Sequence, residues 1–375
     1  MQKIQRRTAL AATAGILIVK PETAFGYQAN SKIHVGVIGA GNRGAYDADF
    51  FSKDPRAEVA ALCDLYPDQL DKAKTKVPAI SSAKTYKDYT ELLAHPGLDA
   101  VQITTPVYLH PEHFTAAVKA GKHIYCEKPA GASVAGVKMT LAAAKAANPK
   151  QVIFFGFQQR WSPEYQAAEK ILRTGQIGEL VLMRSEWMVG GIRPGARPQI
   201  TPEMEKRAWY PYREKSGDFI VEQDCHGVDV LNWFAQARPV SAIGGGGKGR
   251  RKVGNNLDHV NVTYTYPNGL CGYLHGTQLI TGWGEVREQF FGETGALTTH
   301  RRYYEWHREG RNPERVASKR EITIDAIEQF LAHILEGKQK NMAFDACDST
   351  LTSLLGRLAV DTKRVVTWDE LMASE

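Results

Sequence analysis

Cysteine is scarce in this chain. Five are scattered over 375 residues, at positions 63, 126, 225, 271 and 347, odd in number and never in C-x-x-C spacing. That pattern gives no support to a zinc site, and the thiols read as small buried residues. Metal ligation elsewhere has as little behind it, because His110-Pro111-Glu112-His113 sets two histidines close together without a third ligand. Basic tracts are missing too. The formal charge is only +6, and Lys3, Arg6, Arg7 and Lys20 supply much of the excess, so nothing points to nucleic acid. No apolar run reaches membrane-spanning length, and there are no internal repeats. What remains is ordinary globular composition, 43% hydrophobic and 23% charged, in a chain long enough for two domains with sizeable cores.

The first 26 residues read as an address. Gln5-Arg6-Arg7-Thr8 sets paired arginines before the apolar stretch Ala9–Val19, and Ala24-Phe25-Gly26 offers small residues at signal-peptidase spacing. This resembles a twin-arginine export signal cleaved near Gly26, or equally after Ala29. It implies a periplasmic or otherwise exported protein that travels folded, with its cofactor in place. A cytoplasmic enzyme with an N-terminal extension is the alternative.

Beyond it, Lys32–Gly44 reads KIHVGVIGAGNRG. Ile33, Val35, Val37 and Ile38 form the short apolar run of a strand buried on both faces of a parallel sheet. It leads into Gly39-Ala40-Gly41-Asn42-Arg43-Gly44, the G-x-G-x-x-G pattern. Gly39 permits a tight turn, Gly41 lets the backbone approach a pyrophosphate, and Gly44 lets the next helix pack closely with its N–H groups facing the anion. A second apolar run, Val59–Cys63, ends at Asp64, the acidic position about 20 residues beyond the glycines. A carboxylate there accepts hydrogen bonds from the adenosine ribose and repels a 2′-phosphate, which predicts NAD.

Strand-like and helix-like segments alternate up to about residue 151. Ala100–Thr104 ends at Thr105-Pro106, Pro111–Ala120 is a helix closed by Gly121, and His123–Cys126 leads into Glu127-Lys128-Pro129. The expectation is a doubly wound Rossmann sheet over 32–151. From 152 to 375 the pattern changes to period-2 strands such as Leu180–Ser185 and Val260–Tyr266, the latter followed by a Pro267-Asn268-Gly269 turn. This predicts an α+β domain with a large open, mainly antiparallel sheet. Gly244–Gly254 reads as a strand terminus and loop. Ile324–Leu335 and Ser349–Lys363 read as amphipathic helices.

The assembled pattern resembles the Gfo/Idh/MocA family of sugar-handling oxidoreductases. The resemblance rests on the glycine loop, Cys63-Asp64, Thr105-Pro106 with His110, Glu127-Lys128-Pro129, Ile171–Leu180, and His226-x-x-Asp229 followed by Leu231 and Trp233. It implies an active site between the two domains and an open sheet that often mediates homo-oligomers. It further implies that Gly39, Gly41, Asn42, Arg43, Gly44, Asp64, Thr105, Pro106, His110, Glu127 and Lys128 bind the cofactor. Lys128 becomes the proton-exchanging residue, its pKa lowered by partial burial and by the nicotinamide. His226 fits the family histidine, and Glu222 stands where aspartate is commoner, four residues earlier and on the same face of one helix. Lys128, Arg160, Trp161, Tyr165, Asp224 and His226 are candidate contacts to a sugar, with Trp187, Tyr210 and His275 as further lining.

Two enzymatic readings compete. One is an NAD-dependent oxidoreductase acting on a hydroxyl of a sugar, polyol or glycoside. The other is a glycosidase that oxidises its sugar only transiently, made plausible by an export signal that calls for a tightly bound NAD. Retention of Glu127-Lys128-Pro129 weighs against the glycosidase, and Lys128 with His226 weighs against a non-enzymatic module.

Overall fold

A computed structural model describes residues 32–190, 207–279 and 282–374. The expected export signal lies outside these residues. Six parallel strands form the first sheet: β1 (Ile33–Ile38), β2 (Ala57–Cys63), β3 (Lys84–Tyr86), β4 (Ala100–Ile103), β5 (His123–Cys126) and β6 (Ile153–Phe155). Their order, β3-β2-β1-β4-β5-β6, is that of a Rossmann sheet. The four inner strands are mostly apolar and largely buried on both faces, as strands covered by helices above and below are. The edge strand β3 was not legible in the sequence, because Lys84-Thr85-Tyr86 carries no apolar run and pairs only along one side.

The second sheet has nine strands: β7 (Leu180–Met188), β8 (Ser241–Gly247), β9 (His259–Thr265), β10 (Cys271–Thr277), β11 (Glu285–Gly292), β12 (Gly295–His300), β13 (Tyr303–Arg308), β14 (Glu314–Ala317) and β15 (Val366–Thr367). Their order is β14-β13-β12-β11-β7-β10-β9-β8-β15, antiparallel except where β7 meets β10. The glycine run is more ordered than its composition suggests, since Gly244 to Gly247 lie within β8. A Cβ at Gly244 would approach Val360 Cγ2 to 2.9 Å, so the glycine lets the helix Ala343–Thr362 lie close on the sheet. The basic residues that follow fold back, with the Arg250 and Arg251 amides donating to Asp258 at 2.6 and 2.9 Å.

Two late helices bind the halves together. The helix Ile322–Leu335 returns to the first sheet, where Phe330 meets Phe51, Tyr125 and Phe154 edge-on at 5.5–6.2 Å. Ala343–Thr362 packs against both β8 and the helix Val134–Ala146, and most of its length is buried. The ends of β4 and β5 therefore face the second half of the chain across a cleft.

Candidate functional site

The glycine loop performs three separate steric tasks. Gly39 has φ +94°, and a Cβ there would lie 2.8 Å from the Thr104–Thr105 peptide. A Cβ at Gly44 would overlap the Gly39 carbonyl oxygen, so glycine is needed for the helix Asn42–Lys53 to start beside β1. At Gly41 a Cβ would meet no atom of the described residues within 4 Å. That open cradle, at a helix N-terminus with no side-chain cap and an exposed Asn42, suits a pyrophosphate. Asp64 fits the ribose: its Oδ2 accepts from the Ala40 amide at 2.9 Å and its Oδ1 from the Tyr66 amide at 2.9 Å. Each oxygen keeps a lone pair for a hydroxyl, while burial pushes the carboxyl's pKa upward. The residues present therefore match the demands of a dinucleotide.

Arg43 and Glu127 lock the glycine loop to the end of β5. The guanidinium donates to Glu127 Oε1 at 2.6 and 3.0 Å and pairs with buried Asp47 at 3.1 Å. Burial presses the Arg43 pKa down, but the two carboxylates outweigh it. Gly156 leaves room for the arrangement, because a Cβ there would come within 2.5–2.6 Å of the Glu127 carboxylate. Both residues thus shape the cofactor groove from behind. His110 also acts indirectly. It is buried, and its ring nitrogens sit 2.8 Å from the carbonyls of Thr105 and Pro129, tying together the loops that follow β4 and β5. Thr105 Oγ1 in turn lies 3.0 Å from His113 Nδ1.

Lys128 crosses the cleft. Its Nζ lies 2.9 Å from Glu222 Oε1 and also donates to the Glu222 carbonyl, and the two side chains are only 13% and 16% exposed. The expected fall in the Lys128 pKa is not what the site produces. Burial is the largest influence and lowers it, yet Glu222, Cys225 and Glu127 together leave it raised. Lys128 is an ammonium at neutrality, with two protons committed to Glu222 and one left for a ligand.

Glu222 and His226 do meet around Lys128, though not on one helix. The helix Phe219–Glu222 ends, Gln223 and Asp224 turn, and a second helix runs Cys225–Ala235. His226 stacks on Trp187 at 5.2 Å with Phe157 edge-on at 5.9 Å. Its Nδ1 is buried without a partner among the described residues. Burial drives its pKa well down, and the nearby charges of Lys128, Arg301 and Arg43 add to that. His226 is therefore neutral where Lys128 is charged. Tyr210 completes the cluster: its hydroxyl accepts from Gln278, and burial and the neighbouring Glu222 keep it protonated.

Several expected sugar contacts lie elsewhere. Arg160 is held by Asp229 at 2.8 and 2.9 Å, Trp161 stacks on Phe154 at 4.4 Å, and Tyr165 is buried with its hydroxyl on Glu288 at 2.9 Å. Asp224 is fully buried against Gly276 of β10, which has no Cβ to displace it, and burial pushes its carboxyl well up. The side chains of these four point at neighbouring elements rather than at the cleft. His275 pairs in register with Glu186, on the face of the second sheet opposite His226. Gln278, which donates to the Tyr210 hydroxyl and at 2.9 Å to Gln223 Oε1, and Arg301, whose charge acts on His226, carried no sequence signal, since strand and turn positions acquire their neighbours only through the fold.

Comparison with known proteins follows the same division. Residues 33–155 match the family described as "Oxidoreductase family, NAD-binding Rossmann fold", and residues 165–298 match "GFO/IDH/MocA C-terminal domain". The chain is 24% identical over 271 residues to the uncharacterized oxidoreductase YrbE of Bacillus subtilis, covering 71% of this chain and 73% of that protein. It is also 24% identical over 269 residues to the myo-inositol 2-dehydrogenase of Thermotoga maritima, covering 71% and 74%. In fold it resembles a levoglucosan dehydrogenase solved with NADH and levoglucosan, with a TM-score of 0.78 at 18% identity, over 90% of this chain and 99% of that one.

Proposed function

The chain belongs to the Gfo/Idh/MocA oxidoreductase family, with NAD as its cofactor, and from that footing we propose that it oxidises a hydroxyl of a sugar or cyclic polyol. The relatives named as inositol and levoglucosan dehydrogenases support the substrate class. The glycosidase alternative finds no support in them, and the chain keeps Glu127-Lys128-Pro129. One observation carries the reading: a charged Lys128, anchored by Glu222, shares a buried cleft with a neutral His226.

Two groups with opposite protonation at one pH can divide a proton transfer between them. His226 Nε2 takes the hydroxyl proton. Lys128 donates its remaining N–H to the same oxygen and stabilises the negative charge that develops there. Glu222 fixes the ammonium's position, and Trp187 and Phe157 hold the imidazole plane and exclude water. NAD, when bound, supplies the acceptor for the hydride that leaves the carbinol carbon. In the reverse direction His226 returns the proton and Lys128 polarises the carbonyl.

The test is formation of NADH from a panel of inositols, hexoses and anhydro sugars. At least one should react, and Lys128→Ala should lower its kcat/KM by about 10²–10⁴. Cleavage of a glycoside with no net NADH, or full turnover by Lys128→Ala, would sink the assignment.

A further inference from the structure

The inner face of the second sheet is laid out in levels. At one level Ser185, Glu288 and Thr299 stand side by side on β7, β11 and β12. Gly227 of the helix Cys225–Ala235 roofs them, since a Cβ there would overlap Ser185 Oγ. At the next level Trp187 pairs with Val286. Arg287 pairs with His300, so Arg301, next in the chain, continues that level on the face of Thr299. Trp187 carries the stacked His226, and the Arg301 guanidinium reaches back to 5.7 Å from the Trp187 ring centre. Its charge is also felt at Tyr46, on the helix that follows the glycine loop. Arg301 thus projects into the space between the domains, beside the catalytic histidine.

The other cations of this cleft have counter-charges. Lys128 has Glu222 at 2.9 Å, and Arg43 has Glu127 at 2.6 Å and Asp47 at 3.1 Å. Arg301 makes no hydrogen bond or ion pair with any described residue, and its Nε is fully enclosed. The carboxyls near it are spent elsewhere. Glu288 accepts from Tyr165 and Thr299, each at 2.9 Å, and burial pushes its pKa up to about 7. Glu321, which shares the neighbourhood of Tyr46, accepts from the Thr323 amide at 3.3 Å. A buried Nε without a partner among the described residues is costly, and the planar fork of the half-buried guanidinium matches a carboxylate.

We propose that Arg301 receives the carboxylate of the substrate, so that this enzyme's preferred ligands are sugar acids such as hexuronates or aldonates. This rests on the oxidoreductase reading above and narrows it. A phosphate of the cofactor offers similar oxygens, but the Gly41 cradle and its helix N-terminus already meet that demand from the other domain.

The experiment is calorimetric binding to the full chain loaded with NAD. D-Glucuronate, D-galacturonate and D-gluconate are compared with D-glucose and D-galactose, for the wild type, Arg301→Gln and Arg301→Lys. At least one acid should bind on the order of tenfold or more tighter than its neutral counterpart. Arg301→Gln should abolish that preference, Arg301→Lys should keep part of it, and added salt should weaken it. Absence of binding by every acid, or a preference that survives in Arg301→Gln, overturns the proposal. So does an equal loss of NAD affinity in the variants, which assigns the fork to the cofactor. The two readings fail separately: if an acid binds through Arg301 but no ligand in the panel yields NADH, the anion site stands and the oxidoreductase reading falls.

Discussion

At Lys128 burial and neighbouring carboxylates pull in opposite directions, and the carboxylates win. At His226 burial and neighbouring cations pull together, and the imidazole stays neutral. Sequence could nominate both residues but could not give the sign of the lysine's shift. That sign depends on Glu222, which is 94 positions away and arrives at Lys128 only through the fold. The histidine also makes stability depend on pH. Its folded pKa lies below the ordinary 6.5, so as pH falls through 6.5 the unfolded chain takes up a proton that the folded chain refuses. The contribution is whole above 6.5 and is lost on the acid side. Urea midpoints of the wild type and His226→Phe, taken at about pH 7 and about pH 5, should show the smaller acid loss in the variant. Equal losses would mean that His226 is not held neutral.

Among elements, the β1–loop–helix unit was legible because its chemistry is local. The three glycines and the strand's apolar run act within a dozen residues, and Asp64 follows the adjacent strand. The Glu222–His226 segment was not, because its helix breaks at Gln223-Asp224 for a tertiary reason. Asp218 sets up the first turn from φ +87°, a conformation strained for any residue but glycine. Its carboxylate holds that shape by accepting from the Phe219 amide at 2.6 Å, the Leu257 amide at 3.1 Å and Arg213 at 2.9 Å. Asp218→Ala keeps the strain and removes the bonds, leaving Arg213 with Asp361 alone. It should cost about 3 kcal/mol in urea unfolding and lower kcat through a displaced Glu222. A loss below about 0.5 kcal/mol, the scale of an ordinary surface change, would show that the turn does not need the carboxylate.

Across the whole molecule, the second half reaches over the cofactor groove at both ends. Arg207 pairs with Asp68 at 2.7 Å and covers the Tyr66 ring at 4.0 Å, next to Asp64, the carboxylate that suits the ribose. The helix Arg213–Ser216 packs on Val107–Leu109, beyond Thr105-Pro106. This segment bridges the two lips where the adenosine would lie, so NAD should leave slowly. Purified protein is expected to retain NAD through gel filtration, and Arg207→Ala should release it at least about tenfold faster, as the loss of one charge-assisted contact implies. Identical release rates in the two proteins would show that the strap does not gate the cofactor.

The sequence by itself determined the Rossmann half, the mainly antiparallel character of the second half, the NAD preference and the nomination of Lys128, Glu222 and His226. Each of those rests on local steric or hydrophobic patterns, which a chain carries wherever it folds. Tertiary structure alone decided which polar residues reach the cleft. It turned Arg160, Trp161, Tyr165 and Asp224 into packing and ion-pair residues, and it brought Tyr210 and Arg301 to the site. Sheet register and helix phase choose among such candidates, and both are fixed by contacts between segments far apart in the chain.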